Sequence, residues 1–581
     1  MVVTLAASAP TDGPGGEPAA MRDVGQNHSP TARRRARRHR AAWPWVAAAT
    51  VPAAFLGVFF VWPVAALVAR GFHDGAGWTL GPVSDVLASP RTWRVIRQTL
   101  TQALAATVVS VLVGLPGAYV LWCLRFPGQR LLRAVATVPF VLPSVVVGVA
   151  FRSVLAPGGP LGGLGLEQSF GAIVAALVFF NYSVVVRTVG GLWAGLDPRP
   201  AEAARSLGAG RARVWATITL PALAPALASA ASLVFLFSAS AFGVVLVLGG
   251  AGRGTVETEI WYQTTQLLNL PAAAALSVVQ LVIVSACLLG ANAARSRHER
   301  ALRLTGRPGA GVRPADAPAL VVTALTTLFL LLPLATLLAR SFATAEGWGW
   351  GNYRRLAGGG ASGLAATVWQ ATANSLLTAL AAATLAVLLG GLVSHLLARP
   401  PDSGPGRRLA GLADAAFMLP LGVSAVTVGF GFLITLNRPP LDLRSSWVLV
   451  PVAQALVALP LVVRTLLPTW RAIEPRLRQA AATLGAGPAR VLISVDGPLL
   501  LRGLGLATGF AFATSLGEFG ATSFLARPDR PTLPVMVYRL ISRPGVDNVG
   551  LALAAAVVLA VLTAGVMAAA ESLAPRRGGT W

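Results

Sequence analysis

The sequence predicts an all-α polytopic membrane protein with twelve transmembrane helices, arranged as two parallel repeats of six. Of its 581 residues, 55% are hydrophobic and only 12% are charged, whereas a soluble domain carries about 25% charged residues. Many apolar runs reach the ~20 residues that a helix needs to cross a bilayer. These runs are continuous and do not alternate, which favours helices over a barrel.

The repeat shows as a constant distance between matching residues. Gly208 and Gly485 are 277 positions apart (485 − 208), and Pro221 and Pro498 are separated by the same number. The same step joins Pro143 to Pro420, Arg187 to Arg464, Trp193 to Trp470 and Phe242 to Phe519. Chance similarity does not keep one offset over such a span, so the chain is an internal duplication.

The duplication divides the chain into two domains with polar flanks. The predicted segments are a disordered basic tail (1–42), a first domain (43–294), an Arg-, Pro- and Gly-rich linker (295–316), a second domain (317–572) and a short tail (573–581). The first domain is predicted to span the membrane at about 45–68, 97–122, 134–155, 170–192, 222–249 and 271–294. The second is predicted to span it at about 317–340, 366–398, 411–434, 447–468, 499–526 and 549–572.

The positive charge orients these spans. The net charge is +25, no lysine occurs, and the arginines lie in loops between apolar runs, as the positive-inside rule requires of cytoplasmic loops. The rule places both termini, the linker and both copies of the duplicated loop in the cytoplasm. Both repeats then have the same orientation. The charge is thus accounted for by a lipid bilayer, and no nucleic-acid partner is predicted.

The duplicated loop is too polar to span the membrane. In its first copy, Ala201 to Leu207 favours a helix, Gly208 and Gly210 interrupt it, and a second helical stretch runs to Pro221. A short helix parallel to the membrane suits a docking surface for a partner, but it also suits an amphipathic helix that rests on lipid. The residues by themselves leave both interpretations open.

The first copy closely resembles a known motif. Glu202-Ala203-Ala204, then Gly208, then Leu220-Pro221 resembles the EAA loop of bacterial ATP-binding-cassette (ABC) importer permeases. In that family the loop docks on the ATPase subunit. The resemblance implies the type I ABC importer permease fold, the bacterial plasma membrane, two ABC ATPase subunits and an extracytoplasmic substrate-binding protein. It assigns ATPase coupling to Glu202, Ala203, Ala204 and Gly208, and to Gln479, Ala480, Ala481 and Gly485 in the second copy.

The second copy departs from the motif at two places. Gln479 stands where the first copy has Glu202, and Gly497-Pro498, preceded by Asp496, replaces Leu-Pro. We therefore expect the two ATPase subunits to bind asymmetrically.

The fused twelve-helix arrangement is similar to the iron(III) and thiamine permeases of this group. The resemblance implies the permease subunit of an ATP-driven importer, with iron(III) or thiamine as the favoured solute and sulfate, polyamines and other small solutes still open. The alternative is a secondary transporter driven by an ion gradient, which needs ionisable relays within the membrane.

Intramembrane charge is scarce and provides one further candidate. Glu518 lies in the apolar stretch predicted as the span 499–526, and its counterpart in the first repeat (518 − 277 = 241) is Ala241. It is a candidate residue of the translocation path, but a residue that hydrogen-bonds within the helix bundle or lies at the outer end fits the sequence equally. Glu257 and Glu259 are predicted to lie in an outward loop, which is in contact with a binding protein, forms part of a re-entrant gate or is simply solvated.

No catalytic or cofactor-binding motif is found. A phosphate-binding Gly-rich loop requires a lysine, and the chain has none. ATP hydrolysis is therefore expected on separate subunits. The five histidines are scattered, so neither a metal site nor a cofactor is predicted.

Overall fold

The computed structural model describes residues 47–73, 77–298, 310–358, 364–400, 404–438, 441–443 and 446–573. The predicted basic tail, half of the linker (299–309) and nearly all of the C-terminal tail lie outside these residues.

The described chain is almost entirely helical. The first half contains α1 (Ala47–Gly71), α2 (Gly81–Ala88), α3 (Pro90–Cys123), α4 (Gln129–Val141), α5 (Ser144–Leu155), α6 (Phe170–Gly195), α7 (Arg199–Ser206), α8 (Arg211–Val214), α9 (Leu220–Ala239), α10 (Gly243–Leu248), α11 (Val256–Thr265) and α12 (Leu270–His298). The second half contains α13 (Ala317–Ser341), α14 (Gly351–Arg355), α15 (Val368–Ala398), α16 (Gly404–Met418), α17 (Ala425–Thr435), α18 (Leu449–Ala472), α19 (Pro475–Thr483), α20 (Pro488–Val491), α21 (Gly497–Leu516), α22 (Thr522–Leu525), α23 (Leu533–Ile541) and α24 (Val546–Leu573).

Strands occur only as two-residue pieces within the described ranges. They are β1 (Leu124–Arg125), which pairs in parallel with β2 (Ala310–Gly311), and two antiparallel pairs, β3 (Ala343–Thr344) with β4 (Gly347–Trp348) and β5 (Asn437–Arg438) with β6 (Leu441–Asp442).

The predicted polytopic all-α fold is confirmed. Among the described residues, nine helices are long and apolar enough to cross a membrane, and the number reaches eleven if each of two bent helix pairs is one span. The predicted span 411–434 corresponds to α16 and the shorter apolar helix α17.

The prediction of one continuous helix over 134–155 was wrong. Helices α4 and α5 take its place and are bent by 107°. Leu142 between them is extended, with φ −70° and ψ 139°, because the ring of a following proline, here Pro143, disfavours the helical conformation of the residue before it.

The predicted spans 222–249 and 499–526 are also interrupted. Three residues lie between the end of α9 and the start of α10, and five lie between the end of α21 and the start of α22. A glycine is required at each break because the first turn of another helix packs closely against the backbone there. A Cβ on Gly243 would lie 2.4 Å from Ser144 Oγ, and one on Gly520 would lie 2.9 Å from Ala425 Cβ. The breaks are therefore packed against the first turns of α5 and α17.

The two halves are interleaved through their first helices. Phe59 of α1 contacts Phe432 of α17 with ring centroids 6.2 Å apart, and Phe329 of α13 contacts Phe151 of α5 at 5.9 Å. Each contact joins the first helix of one half to the other half. Neither half therefore packs as a separate bundle.

Hydroxyl groups on the long helices α3 and α15 anchor the short helices α11 and α23. Thr99 Oγ1 accepts a hydrogen bond from the backbone N–H of Val256 at 3.1 Å. Ser375 Oγ accepts one from Leu533 at 2.6 Å. Both bonds satisfy a donor at the start of a helix, where the helix itself provides no acceptor. The duplication thus repeats polar contacts as well as apolar packing.

Two adjacent glycines in α15 allow a matched test of this packing. A Cβ on Gly390 would lie 2.6 Å from Cγ1 and 3.0 Å from Cβ of the fully buried Val462, whereas one on Gly391 meets nothing within 4 Å. We expect Gly390→Ala to lower the thermal stability of the detergent-solubilised protein, since overpacking costs about 1–3 kcal/mol. Gly391→Ala is the control and should not lower it. An equal loss in both variants would contradict the packing described here.

Candidate functional site

The duplicated loop forms the same structure in both halves. In the first copy, α7 carries Glu202 in its first turn and ends just before Gly208, whose φ is +84°. The N–H of Ala209 bonds to the carbonyl of Ala204 at 3.0 Å. This is a glycine-terminated helix end that a residue with a side chain adopts only with strain.

The second copy follows the first residue by residue. Helix α19 carries Gln479 and ends before Gly485, whose φ is +83°. The N–H of Ala486 bonds to the carbonyl of Ala481 at 3.0 Å. The sequence prediction of helix, glycine turn and helix is therefore correct for both copies.

The site residues proposed from the sequence lie on the exposed side of these helices. Glu202, Ala203, Gln479 and Ala480 are exposed, and Ala204 and Ala481 are both half-buried. The sequence analysis did not single out two leucines at the helix ends. Leu207 and Leu484 are each 88% exposed and occupy matching positions (484 − 207 = 277). Each loop thus presents one leucine at the end of a short, rigid helix.

A short π-helical segment follows each loop and leads into a long helix. The segments are Trp215–Thr219 and Leu492–Asp496, again 277 positions apart (492 − 215). Helices α9 and α21 continue from them for 20 residues, a length of about 30 Å. The far end of each long helix is the break described above. Each loop is therefore joined to its break by one long helix, which in the second half is bent by 59° between Leu501 and Gly503.

The second loop has an ionic anchor made of residues that the first loop does not share. Asp496 is completely buried, accepts a hydrogen bond from Arg478 Nε of α19 at 2.6 Å, and also pairs with Arg399 at the end of α15. The first half has Thr219, Ala201 and Trp122 at the three matching positions. The sequence marked Asp496 as a departure from the motif, but its partners are 18 and 97 residues away, so only the structure identifies them.

This anchor predicts a difference in local stability. We expect Asp496→Ala to increase tryptic cleavage of the second loop by about tenfold or more, because removing one partner of a buried ion pair costs about 3–5 kcal/mol. Cleavage of the first loop in the same molecule serves as the internal control. Thr219→Ala, the change at the matching position, should leave the cleavage of both loops unchanged. Equal cleavage of the second loop with and without Asp496 would show that the ion pairs do not hold it.

Four aromatic rings meet between the halves at the far ends of α9 and α21. Phe242 and Phe519 stack with ring centroids 5.3 Å apart and planes 22° apart. Trp261 lies 6.4 Å from Phe242 and 5.9 Å from Tyr538, and Tyr538 lies 5.5 Å from Phe519. The four contacts close a ring, which we call the aromatic quartet (Phe242, Trp261, Phe519 and Tyr538).

The quartet lies on the axis that relates the two repeats. Phe519 is the counterpart of Phe242 (519 − 242 = 277), and Tyr538 is the counterpart of Trp261 (538 − 261 = 277). A residue that contacts its own symmetry counterpart must lie at the symmetry axis. The quartet therefore closes the space between the halves at this level.

The sequence predicted that Glu518 lies within a transmembrane helix, but the structure places it in the break between α21 and α22. Its carboxylate accepts hydrogen bonds from the backbone N–H groups of Ala521 at 2.7 Å and Thr522 at 3.0 Å. It is buried, with 6% of its surface exposed, and it holds the break that carries Phe519. Its role as a path residue stays a prediction.

The prediction of an outward loop around Glu257 was wrong, because these residues form helix α11. Glu257 is completely buried and accepts hydrogen bonds from Gln280 Nε2 at 3.0 Å and from Ser424 Oγ of the second half. Glu259, two residues on, instead pairs with Arg91 at 2.9 Å. The segment was predicted to be exposed because its residues are polar, but neighbouring elements enclose helix α11 and bury Glu257.

Comparison with known proteins gives consistent matches. Residues 112–298 match the family described as binding-protein-dependent transport system inner membrane component. The thiamine transport system permease protein ThiP of Brucella abortus (strain 2308) is 30% identical over 511 residues, which cover 84% of this chain and 88% of that protein. The protein of the same name from Escherichia coli (strain K12) is 29% identical over 486 residues, covering 80% and 87%. The sulfate transport system permease protein CysT of Salmonella typhimurium is 32% identical over 224 residues, covering 37% of this chain and 81% of that protein.

The lengths of these matches agree with the duplication. The match to the sulfate permease is shorter than one repeat of 277 positions, yet it covers most of that protein, whereas the matches to the thiamine permeases extend over both repeats. By its 30% identity to a full-length relative, and by the paired loops that the structure shows, the chain belongs to the family of binding-protein-dependent ABC transporter permeases, in the fused form with two permease domains.

Proposed function

We propose that the two loops are the docking sites of two ABC ATPase subunits and that the chain moves a thiamine-like solute into the bacterial cytoplasm. The observation that carries the proposal is the matching geometry of the loops, each with an exposed leucine at the end of a glycine-terminated helix. Glu202, Ala203, Ala204, Gly208, Gln479, Ala480, Ala481 and Gly485 are the proposed coupling residues. The loops and both termini face the cytoplasm in this proposal, consistent with the arginine distribution.

The docking surfaces are small, rigid and apolar at their centre. Leu207 and Leu484 are exposed enough to enter a pocket on a partner, and such apolar anchors with a polar rim are typical of protein interfaces. An amphipathic helix resting on lipid is the other interpretation that the sequence left open. The presence of the same protruding leucine in both loops favours a pair of identical protein partners.

The structure supports a lever mechanism for coupling. ATP binding draws the two ATPase subunits together and displaces the loops with them. Each loop continues through a π-helical segment into α9 or α21, which ends at the aromatic quartet. Movement of the loops then separates or closes the two halves at the quartet, a rigid-body transition of packed elements. The ionic anchor of Asp496 makes the second loop the more firmly attached lever.

The proposed solute, thiamine, is taken from the names of similar permeases. Both relatives described above that match over both repeats are named as thiamine transport permeases, which favours thiamine over iron(III). The sulfate permease matches only one repeat's length. An extracytoplasmic binding protein is proposed to deliver the thiamine, in accordance with the family's description as binding-protein-dependent.

Docking on the loops is tested by co-purification with the ATPase. We expect Leu207→Arg and Leu484→Arg each to weaken ATPase binding by about 30-fold, because loss of an interface hot spot costs about 2 kcal/mol. Leu164→Arg is the control. Leu164 is 62% exposed, but it lies in the turn before α6, so the whole length of that helix separates it from the first loop. Retention of the ATPase by both loop variants, with a wild-type protein that binds it, would refute docking at these helices.

Transport is tested in proteoliposomes that contain the permease, its ATPase and the binding protein. We expect uptake of labelled thiamine to require ATP on the side of the ATPase and binding protein on the opposite side. Addition of a protonophore should leave this uptake unchanged. Uptake that proceeds without ATP and stops with the protonophore would instead identify a secondary transporter, and ATP-driven uptake of another solute would refute only thiamine.

A further inference from the structure

We propose that the aromatic quartet and Glu257 form a cation-recognising constriction in the translocation path. The ligand class is a flat organic cation, which contacts the faces of the rings and is balanced by the Glu257 carboxylate. This inference rests on the proposed function, because it requires the space between the halves to be the path of the solute.

The position of the quartet is the first argument. A solute that passes between two symmetry-related halves travels along their common axis, and the quartet closes that axis. Phe242 and Phe519 are 5% and 2% exposed, so the stacked pair leaves no opening. Phe242 and Phe519 lie in the breaks, and Trp261 and Tyr538 lie on the short helices α11 and α23. Each break lies at the far end of a long helix whose other end follows a loop. The quartet is therefore the part of the axis that a loop movement reaches directly.

The chemistry of the quartet is the second argument. A purely steric closure needs only apolar bulk, which leucine or valine supplies in much of the rest of the core. Here four aromatic faces meet instead, and the negative face of an aromatic ring attracts a cation, most strongly for tryptophan. Once the halves separate, Phe242 and Trp261 of the first half face Phe519 and Tyr538 of the second, and the four rings form a cage that fits a flat, positively charged ring.

Glu257 supplies the charge for this cage. It lies four residues before Trp261 on α11, which places both side chains on one face of that helix. Its hydrogen bond to Ser424 crosses between the halves, as the quartet does. A buried carboxylate is costly unless it is paired, yet in the part of the chain that the structure describes neither Glu257 nor Glu518 forms an ion pair. Burial raises the pKa of Glu257 to about 8 in this closed arrangement, so an entering cation would favour its charged form and be balanced by it.

The neighbouring polar atoms are also incompletely bonded. Within the described ranges, Trp261 Nε1, Gln280 Oε1 and Thr427 Oγ1 are buried and have no hydrogen-bond partner. Gln280 holds Glu257 directly, and Thr427 lies three residues after Ser424, at the start of α17. Buried polar atoms without partners are uncommon in proteins. Gln280 bonds Glu257 and Trp261 belongs to the quartet, so a polar ligand held between them would find hydrogen-bonding atoms that have no partner in the protein.

Glu518 has a different role in this proposal. Its carboxylate is occupied by two backbone N–H groups at the start of α22, so it acts as a positioning residue for Phe519. The matching position in the first half is Ala241, and the position matching Glu257 (257 + 277 = 534) is Pro534. The charge is therefore one-sided, and a cation is expected to bind nearer to the first half.

The electrostatic part of the proposal is tested without thiamine. Cys123 and Cys287 are replaced by serine, and the Tyr538→Cys variant is reacted with a trimethylammonium and with a sulfonate methanethiosulfonate during ATP turnover in the assembled transporter. We expect the cationic reagent to react faster, and Glu257→Gln to lower the cation-to-anion rate ratio about tenfold, because a buried charge concentrates counter-ions in a narrow site. Glu259→Gln, on the same helix but paired with Arg91, is the control and should not change the ratio.

The transport part uses thiamine uptake in the proteoliposomes described above. We expect Glu257→Gln and Trp261→Leu to reduce uptake at least about tenfold while the ATPase still co-purifies. Phe151→Leu replaces a buried aromatic outside the quartet and should retain most of the uptake.

The results separate the two proposals. If wild type hydrolyses ATP but does not import thiamine, the proposed solute is wrong, and the labelling ratio still decides on the constriction. The constriction proposal is refuted if wild type imports thiamine but the Tyr538→Cys variant is never labelled during turnover. It is also refuted if Glu257→Gln leaves the labelling ratio unchanged.

Discussion

The structure depends on one constraint, which is that every backbone group within a bilayer must find a partner inside the protein. Helices satisfy this constraint by themselves, but this chain interrupts its helices between α9 and α10, between α21 and α22 and between α4 and α5. The interruptions are tolerated because they are packed inside the protein, where side chains take over missing bonds. Glu518 binds two N–H groups at the start of α22, and hydroxyls on α3 and α15 bind N–H groups at the starts of α11 and α23.

The same interruptions connect the two functional regions. A continuous helix from loop to opposite face would carry motion past the axis, whereas α9 and α21 end at it. Their breaks turn the chain so that Phe242 and Phe519 meet each other. The short helices that follow return Trp261 and Tyr538 to the same place. Each loop is therefore joined to the quartet by one long helix, and in the proposed mechanism these two helices are the levers.

The duplication is symmetric in backbone and asymmetric in charge. Loop geometry, π-helical segments and the aromatic rings all occur twice at one offset, and the hydroxyl caps of α11 and α23 recur within one residue of it. The buried acidic groups do not, since Glu257, Glu518 and Asp496 each lack an acidic counterpart. This division has a physical reason. Backbone geometry must be shared for the halves to pack about one axis, but a second buried carboxylate near the same axis would add repulsion and a further desolvation cost. Asymmetry is thus least costly in the buried polar groups.

The sequence by itself determined the membrane class, the duplication and the local form of the loops. The length of an apolar run shows whether it can cross a bilayer, and the 277-residue step is visible because the same residues recur at that distance. The helix ends at Gly208 and Gly485 depend only on neighbouring residues. The sequence did not show the breaks within apolar runs, since 222–249 and 499–526 read as continuous hydrophobic spans. It also placed Glu257 in an exposed loop, although the surrounding helices bury it. The tertiary structure alone decided which long-range partners meet, as in the pairs of Asp496 with Arg399 and of Phe242 with Phe519, because contacts between residues 97 to 277 positions apart depend on how all helices pack together and not on any local pattern.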